Sequence, residues 1–428
     1  MKEYRLRIAD EVLKDNLEAA GLVLIEGTKW CGKTTTAEQH CGSVIYLNDP
    51  SQRNIYQQIA QNSPKLLLEG VTPRLVDEWQ DAVELWDTAR FEIDHREEKT
   101  GQFIFTGSTI VKKENREKIK HSGAGRVAWM KMRPMSLYES GESVGSVSLG
   151  ELFAGNVQGG YKAKEFDLRQ IAYIICRGGW PAALTMSPNA ALRQAYNYID
   201  AIVNTDISSV DDVSRDAVFA RRLMRSYARA QGSQSTISTI YSDLAANDDN
   251  TLKEETVSSY LRALKKLFVI EDSLAWNPNL RSKTAIRTSD TRYYVDPSIA
   301  VAALGLGPED LITDLSTMGL VFETLCVRDL RVYADALNGT VYHYRDKSGL
   351  ECDAVIHLKN GNYGLVEIKL GGENLIAEGI RTLTKLSEKI DTDKMKSPSF
   401  RMVLTGTGSF AYKDENGILV VPIGALKQ

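Results

Sequence analysis

Cysteine and histidine are scarce in this sequence, and they follow no pattern that binds metal. The five cysteines contain no Cys-x-x-Cys pair, and the five histidines do not cluster near them. This distribution argues against a zinc site and against a disulfide framework. We expect most of the thiols to be plain buried side chains. The cysteines are Cys31, Cys41, Cys176, Cys326 and Cys352.

Long apolar runs and a strong net charge are also absent. No stretch reaches the length of a membrane span, and the first twenty residues mix charged with apolar side chains, unlike a signal peptide. We therefore expect a cytoplasmic protein without membrane contact. The formal net charge of −4 creates no overall basic field, so any contact with nucleic acid must come from a local patch.

The remaining composition is that of a folded multidomain protein. Hydrophobic residues make up 43% and charged residues 25% of the chain, which are ordinary globular values. A chain of 428 residues is too long for one hydrophobic core. The predicted fold class is α/β, with a P-loop parallel-sheet domain, a helical and winged-helix middle, and a C-terminal α/β domain.

A glycine-rich stretch near the N-terminus has the spacing of a phosphate-binding loop. The sequence GTKWCGKT fits G-x-x-x-x-G-K-T, and it lies between the apolar run Leu22–Glu26 and residues that open a helix. In that context Lys33 reaches the β and γ oxygens of ATP, and the Thr34 hydroxyl binds Mg²⁺. The predicted nucleotide-binding residues of this loop are Gly27, Cys31, Gly32, Lys33, Thr34 and Thr35.

A later acidic pair supplies the groups that hydrolysis of ATP requires. Asp77 and Glu78 follow a short apolar strand. Asp77 is predicted to contact the magnesium shell through water, and Glu78 to polarise the attacking water. The next strand, FIFTGS, ends beside that strand and carries two hydroxyls. Either Ser108 or Thr106 would sense the γ-phosphate or the attacking water.

Four motifs occur in a fixed order along the chain: GTKWCGKT, LVDEWQ, FTGST and GAGRV. In these motifs the sequence resembles the AAA+ ATPases of bacteria and archaea that carry a C-terminal domain of unknown function. Those ATPases are distantly similar to the origin-recognition and Cdc6-type ATPases. The resemblance implies that Arg126 serves as an arginine finger for a neighbouring subunit, with Arg116 and Arg133 as alternatives. It also implies a homo-oligomeric ring, such as a hexamer, in which assembly completes the active site.

The middle of the chain reads as helices followed by a winged helix. Three helical stretches and a strand lie between Arg221 and Trp276, and Arg262, Lys265 and Lys266 project away from the apolar face of the third helix. One interpretation is that these basic side chains contact DNA phosphates. The other is that they form an ordinary solvated surface, and that the module couples the ATP state to neighbouring domains. The predicted domains are 1–155 (ATPase), 156–220 (helical), 221–290 (winged helix) and 291–428.

The last third has the element order α-β-β-β-α-β, which resembles the PD-(D/E)XK nuclease, or restriction-endonuclease-like, core. Asp353, Glu367 and Lys369 match its motif, Glu323 matches an additional acid on the first helix, and Glu351 is a spare ligand. Residues two apart on a strand face one side, so Glu367 and Lys369 would face a Mg²⁺ or Mn²⁺ ion and a phosphate together. The domain either cleaves DNA or serves as a binding platform.

Together these features predict an oligomeric ATPase that acts on DNA or a DNA-bound complex. One alternative is a nucleotide-dependent switch that binds a protein partner and has an inactive nuclease-like fold. Another is a nuclease that ATP merely regulates. The predicted cofactors are ATP and Mg²⁺.

Overall fold

A computed structural model of the chain describes residues 4–111, 115, 117–156, 160–211, 213–246, 252–277, 289–393 and 395–428. Two compact units are formed. The first comprises Met1–Arg133, Asp206–Ser214 and Ala263–Phe268, and the second comprises Pro134–Thr205, Arg215–Arg262 and Val269–Gln428. No helix in these described ranges is both long and apolar enough to cross a membrane.

The first unit is built on a five-stranded parallel sheet with the strand order β2-β3-β4-β1-β5. Its strands are β1 (Leu22–Glu26), β2 (Ser43–Tyr46), β3 (Arg74–Asp77), β4 (Phe103–Gly107) and β5 (Val127–Lys131). Its main helices are α1 (Ile8–Ala19), α2 (Lys33–Glu38), α3 (Arg53–Asn62) and α4 (Glu84–His95).

Strand β1 is buried on both faces, as its continuous apolar run predicts. Leu22 and Leu24 pack into a cluster on one face of the sheet, together with residues of helix α4. Val23 and Ile25 pack into a second cluster on the opposite face, together with Leu13 of helix α1. The sheet therefore lies between two helical layers, which confirms the predicted parallel-sheet fold.

The second unit combines helices with a seven-stranded mixed sheet, of order β7-β12-β13-β11-β10-β9-β8. Its helices are α5 (Leu149–Phe153), α6 (Leu168–Arg177), α7 (Pro188–Ala201), α8 (Ala217–Arg229), α9 (Ile237–Ala245), most of α10 (Glu254–Lys266), α11 (Pro297–Leu304), α12 (Pro308–Thr313), α13 (Leu315–Ala336) and α14 (Glu373–Lys389). Its strands are β6 (Val147–Ser148), β7 (Tyr161–Lys162), β8 (Gly339–Arg345), β9 (Glu351–Leu358), β10 (Tyr363–Lys369), β11 (Phe400–Thr405), β12 (Phe410–Lys413), β13 (Leu419–Pro422) and β14 (Leu426–Lys427).

Helix α13, strands β8 to β10, helix α14 and strand β11 confirm the predicted element order of the last third. Strands β8, β9 and β10 are antiparallel neighbours, whereas β10 and β11 are parallel. The apolar face of α14, which includes Leu383 and Leu386, packs on this sheet against Val355, Leu365 and Val403.

Two short strands early in the second unit pair with strands near residue 420. Strand β6 pairs with β14, so that Val147 lies opposite Leu426, and β7 pairs with β12. These pairings account for the assignment of Pro134–Thr205 to the second unit. The end of the ATPase domain near residue 155 stays a prediction. A turn at Ala154 and Gly155 follows α5.

A fully buried arginine ties several segments of the second unit together. The guanidinium of Arg328 lies 2.9 Å from Asp296 and 2.7 Å from Asp329, and none of these side chains is more than 1% exposed. The backbone N–H groups of Gly179 and Leu137 donate to the same two carboxylates. Burial raises the pKa of Asp329 to about 6, although the charge of Arg328 opposes this shift.

Replacing Arg328 with methionine is expected to destabilise the second unit by about 3–5 kcal/mol, because two buried carboxylates then lose their cation. Urea unfolding at pH 7 measures this change. The matched control is Arg169→Met, which removes a cation from an exposed pair with Glu309 and is expected to cost less than about 1 kcal/mol. Equal effects of the two substitutions would contradict the prediction.

Candidate functional site

Three loops of the first unit meet at one edge of its sheet. Parallel strands bring their carboxyl ends to the same side, and ligands of such sheets bind there. Strand β1 ends at Glu26 opposite Gly107 of β4, and β3 pairs with the other side of β4. The glycine-rich loop, the Asp77–Glu78 pair and Ser108 therefore lie side by side, as predicted.

The glycine-rich loop has a conformation that depends on its glycines. A Cβ at Gly27 would lie 2.0 Å from the carbonyl oxygen of Met132, so no larger residue fits there. Gly32 has a φ of 102° and directly precedes α2, a conformation that favours glycine. Lys33 begins the helix, is buried, and donates from Nζ to the carbonyl oxygens of Gly27 and Thr28, each at 2.9 Å.

Cys31 and Thr35 differ in their placement within this loop. The Cys31 side chain is fully buried and donates to the carbonyl oxygen of Met132, so only its backbone is available to a nucleotide. The Thr35 side chain is exposed. Arg7, which no motif predicted, donates to the carbonyl oxygens of Cys31 and Arg133 and thus braces the loop from the chain segment before α1.

The carboxylate of Asp77 accepts hydrogen bonds from two hydroxyl groups. Thr34 Oγ1 and Thr106 Oγ1 both donate to Asp77 Oδ1, each at 2.6 Å. Burial raises the pKa of Asp77, while these two hydrogen bonds oppose the shift. Thr34, the predicted magnesium ligand of the loop, is therefore already joined to the second predicted ligand.

Glu78 has a different set of partners, and this separates the two sensor candidates. Ser108 Oγ donates to both Glu78 carboxylate oxygens, at 2.6 and 2.7 Å, whereas Thr106 contacts Asp77. Gln80 Nε2 also donates to Glu78. Glu78 has a φ of 55°, an unusual conformation for a residue other than glycine. The carboxylate that the sequence predicts to activate water is thus held by Ser108 and Gln80.

A polar cavity of about 620 Å³ opens beside Glu78 and Ser108. Its walls include Lys29 of the glycine-rich loop and Arg53 at the start of α3. Ser209, from the segment Asp206–Ser214, also lines it. The cavity is therefore lined by residues of the glycine-rich loop, by Glu78 of the acidic pair and by a segment that is distant in sequence.

Arg126 lies directly before β5, at the edge of the sheet opposite the glycine-rich loop. Its Nε lies 2.9 Å from Asp94 Oδ1, and this hydrogen bond lowers the pKa of Asp94. Arg133 is buried, and Arg116 lies outside the described residues. A finger that acts on a neighbouring subunit need not approach its own loop, so the role of Arg126 stays a prediction.

Comparison with protein families agrees with this geometry. Residues 20–141 match the family described as AAA domain. The N-terminal part of the chain is an AAA-type ATPase domain. Residues 168–310 and 318–426 match two families described as domains of unknown function, DUF8612 and DUF4143. The predicted resemblance to AAA+ ATPases is thus confirmed for this domain, while the nuclease-like core and the Cdc6-type similarity stay predictions.

Among solved structures, a Walker-type ATPase of Pyrococcus abyssi is similar at 13% identity and a TM-score of 0.41, covering 70% of this chain and 96% of that one. A RuvB variant of Thermotoga maritima is similar at 14% identity and a TM-score of 0.26, covering 62% and 87%. At these scores the likenesses add nothing to the assignment of the AAA-type domain. No curated protein matches the chain.

The predicted winged-helix region contains the three expected helices, α8, α9 and α10. After them, Ile270 and Ser273 form antiparallel bridges with Tyr294 and Thr291. Two of the basic side chains proposed to contact DNA have acidic partners within the chain: Arg262 binds Glu255 at 2.8 Å, and Lys266 binds Asp211 at 3.2 Å. The winged-helix assignment and its contact with DNA stay predictions.

The C-terminal acidic residues do come together in the second unit. Lys369 Nζ lies 3.0 Å from Glu367 Oε2, and the backbone N–H of Ile368 donates to Asp353 at 2.7 Å. Tyr293 donates to Glu323 at 2.5 Å. Glu351, the spare ligand, instead binds Arg345 at 2.7 Å.

The protonation of this cluster differs from that of exposed carboxylates. Burial, and then the charge of Asp353, raises the pKa of Glu367 to about 8. Burial likewise raises the pKa of Glu323 and Asp353. Burial alone lowers the pKa of Lys369, but the charges of Asp353 and Glu367 outweigh it and raise that pKa.

No group of three or more His, Cys, Asp and Glu side chains within the described ranges is arranged to hold a metal ion. The predicted metal site of Asp353, Glu367 and Glu323 therefore stays a prediction.

The substitution Gly27→Ala is expected to weaken ATP binding at least about tenfold, because the added Cβ forces the loop away from Met132 at a cost of about 1–3 kcal/mol. Titration with a fluorescent ATP analogue measures the affinity. Gly319→Ala is the control, because a Cβ there has no neighbour within 4 Å. Unchanged affinity in Gly27→Ala would show that the loop does not need this close approach.

Glu367→Gln is expected to change how stability depends on pH. Because the folded state keeps a proton on Glu367 up to about pH 8, and the unfolded chain releases it near pH 4.3, the wild type loses stability as pH rises between these values. The variant lacks this pH-dependent contribution, so its stability relative to wild type should rise by about 3–4 kcal/mol from pH 5 to pH 8. Urea unfolding at several pH values tests this, with the exposed Glu388→Gln as control. A constant difference between wild type and Glu367→Gln would refute it.

Proposed function

We propose that the AAA-type domain binds and hydrolyses ATP at the carboxyl edge of its sheet. One observation carries this proposal: the hydroxyls of Thr34 and Thr106 converge on Asp77, and the hydroxyl of Ser108 binds Glu78 beside the glycine-rich loop. Phosphoryl transfer needs a phosphate cradle, a metal-binding carboxylate and a water-orienting group. These residues supply all three within neighbouring loops.

Each side chain has a distinct role in the proposed reaction. Lys33 exchanges the carbonyl oxygens of Gly27 and Thr28 for phosphate oxygens when ATP binds, since its ammonium already lies against the loop. Glu78 accepts a proton from the attacking water, or orients that water by a hydrogen bond. Ser108 and Gln80 hold the carboxylate in place and define where the water lies.

The residues present fit a magnesium ion. Thr34 and Asp77 offer a hydroxyl and a carboxylate, the oxygen donors that Mg²⁺ prefers, and they are joined by a 2.6 Å hydrogen bond. Mg²⁺ would neutralise charge on the phosphate oxygens when bound with ATP. Thr106 keeps Asp77 oriented through the second hydroxyl contact.

Glu78→Gln is expected to lower the rate of ATP hydrolysis by at least about 100-fold, because the amide cannot accept the proton of the attacking water. ATP binding should be retained, since the cradle of Lys33 and the loop is intact. Steady-state phosphate release and titration with a fluorescent ATP analogue measure the two properties separately.

Two controls accompany this experiment. Lys33→Ala should abolish binding as well as hydrolysis, whereas Glu97→Gln, an exposed substitution in the same domain, should change neither. Hydrolysis by Glu78→Gln at the wild-type rate would rule out Glu78 as the water-activating residue. Failure of wild-type protein to bind ATP would overturn the proposed function.

A further inference from the structure

Two segments that are distant in sequence belong to the first unit together with the AAA-type domain. Asp206–Ser214 is joined at both ends to residues of the second unit, and so is Ala263–Phe268. Asp206 Oδ1 accepts a hydrogen bond from Lys29 Nζ at 2.7 Å. The backbone N–H of Ile110, in the loop after Ser108, donates to the carbonyl oxygen of Lys266 at 3.1 Å. Each segment is thus attached to a loop of the candidate nucleotide site.

Lys29 lies within the glycine-rich loop itself, two residues after Gly27. It lines the same cavity as Glu78 and Ser108, so its ammonium stands on the side of the loop where the terminal phosphate and the attacking water would be. Ser209 and Val210, from the segment that carries Asp206, line that cavity too. The Lys29 ammonium therefore faces both the segment that carries Asp206 and the expected position of the terminal phosphate of ATP.

The two partners of this ion pair differ in their freedom to move. The Lys29 side chain is 41% exposed, whereas the Asp206 side chain is only 11% exposed. A long lysine side chain can turn into the cavity without disturbing the backbone. Asp206 is also held by its main chain, because its carbonyl oxygen accepts hydrogen bonds from Ser209 Oγ and from the Val210 N–H. The side chain of Lys29 is the part of the pair that can change partners.

We propose that Lys29 senses the terminal phosphate of ATP, and that its ion pair with Asp206 is the resting position of this sensor. The proposal rests on ATP binding at the glycine-rich loop. A triphosphate carries several negative charges and attracts the ammonium more strongly than one carboxylate does. When Lys29 moves to the phosphate, Asp206 loses this cation and the backbone around Asp206 loosens, while Lys266 still holds Asp211. ADP lacks the terminal phosphate and leaves the pair in place.

Competition of this kind has a reciprocal consequence. If ATP weakens the contact between Lys29 and Asp206, then that contact must weaken ATP binding by the same factor. Removing the charge of Asp206 should therefore tighten ATP binding, although Asp206 would never touch the nucleotide. A purely structural ion pair would have the opposite effect or none, because its loss loosens the loop.

The first experiment is a titration of wild type and Asp206→Asn with fluorescent analogues of ATP and ADP. Asp206→Asn is expected to bind the ATP analogue about tenfold more tightly, within the usual range of coupling between sites. Its affinity for the ADP analogue should change by less than about threefold, because only the terminal phosphate competes. The matched control is Asp200→Asn, which removes a carboxylate bonded to Arg221 on helix α8 and should leave both affinities unchanged.

A double-mutant cycle assigns the effect to the pair. In a Lys29→Gln background, Asp206→Asn should no longer alter the affinity for the ATP analogue, since the competing cation is gone. An undiminished effect in that background would overturn the proposal. Equal ATP affinities of wild type and Asp206→Asn, or weaker binding by the variant, would overturn it as well.

Hydrogen exchange of the backbone amides measures directly whether the segment around Asp206 loosens. In Glu78→Gln protein, which should hold ATP without hydrolysing it, peptides covering residues 206–211 should exchange faster with ATP than with ADP or without nucleotide. Exchange that is unchanged or slower with ATP would overturn the sensor while leaving the proposed ATPase intact. If wild-type protein binds no ATP and Lys33→Ala behaves identically, the proposed function fails and the sensor fails with it.

Discussion

The hydrogen bonds of the Asp77 carboxylate hold the nucleotide site together. One oxygen accepts both the Thr34 hydroxyl at the start of α2 and the Thr106 hydroxyl at the end of β4. Thr34 follows β1 and Thr106 lies in β4, whereas Asp77 ends β3. Their hydrogen bonds therefore join the carboxyl ends of three neighbouring strands. The burial of Asp77, which raises its pKa, is tolerated because both hydroxyls compensate for lost water. The hydrogen bond from Thr34 to Asp77 links the glycine-rich loop to the acidic pair.

Charge is used differently in the second unit. There, Arg328 and Lys369 each neutralise carboxylates that lie deep in the protein. Such contacts cost desolvation energy and contribute more to a specific arrangement than to net stability. Burial and the charge of Asp353 raise the pKa of Glu367 to about 8, so a proton on Glu367 lowers the negative charge of this cluster at neutral pH.

Motif spacing predicted the parts of the site that are local in sequence. The strand, loop and helix around Lys33, and the adjacency of Asp77 and Ser108, follow from rules that apply to any parallel sheet. The element order of the last third followed from apolar periodicity, which is also a local signal. These features depend on residues that are close together in the chain or on the same edge of one sheet.

Contacts between distant segments could not be predicted in the same way. Asp206 and its partner Lys29 are 177 positions apart, and no sequence pattern joins them. Arg7 supports the loop through backbone carbonyl oxygens, which leave no trace in the side-chain pattern. The pairing of β6 and β7 with strands more than 200 residues later likewise has no signal in the local sequence.

The division of the chain into interleaved segments also sets an order of assembly during synthesis. The parallel sheet is complete once Lys131 has been made, so the ATP-binding loops can fold while translation continues. The segment that carries Asp206 emerges later, and the pairing of β6 with β14 must wait for residue 427. A nascent chain thus has its glycine-rich loop and acidic pair before it has Asp206, the residue that pairs with Lys29. ATP present at the ribosome would meet a loop whose lysine is still free of Asp206.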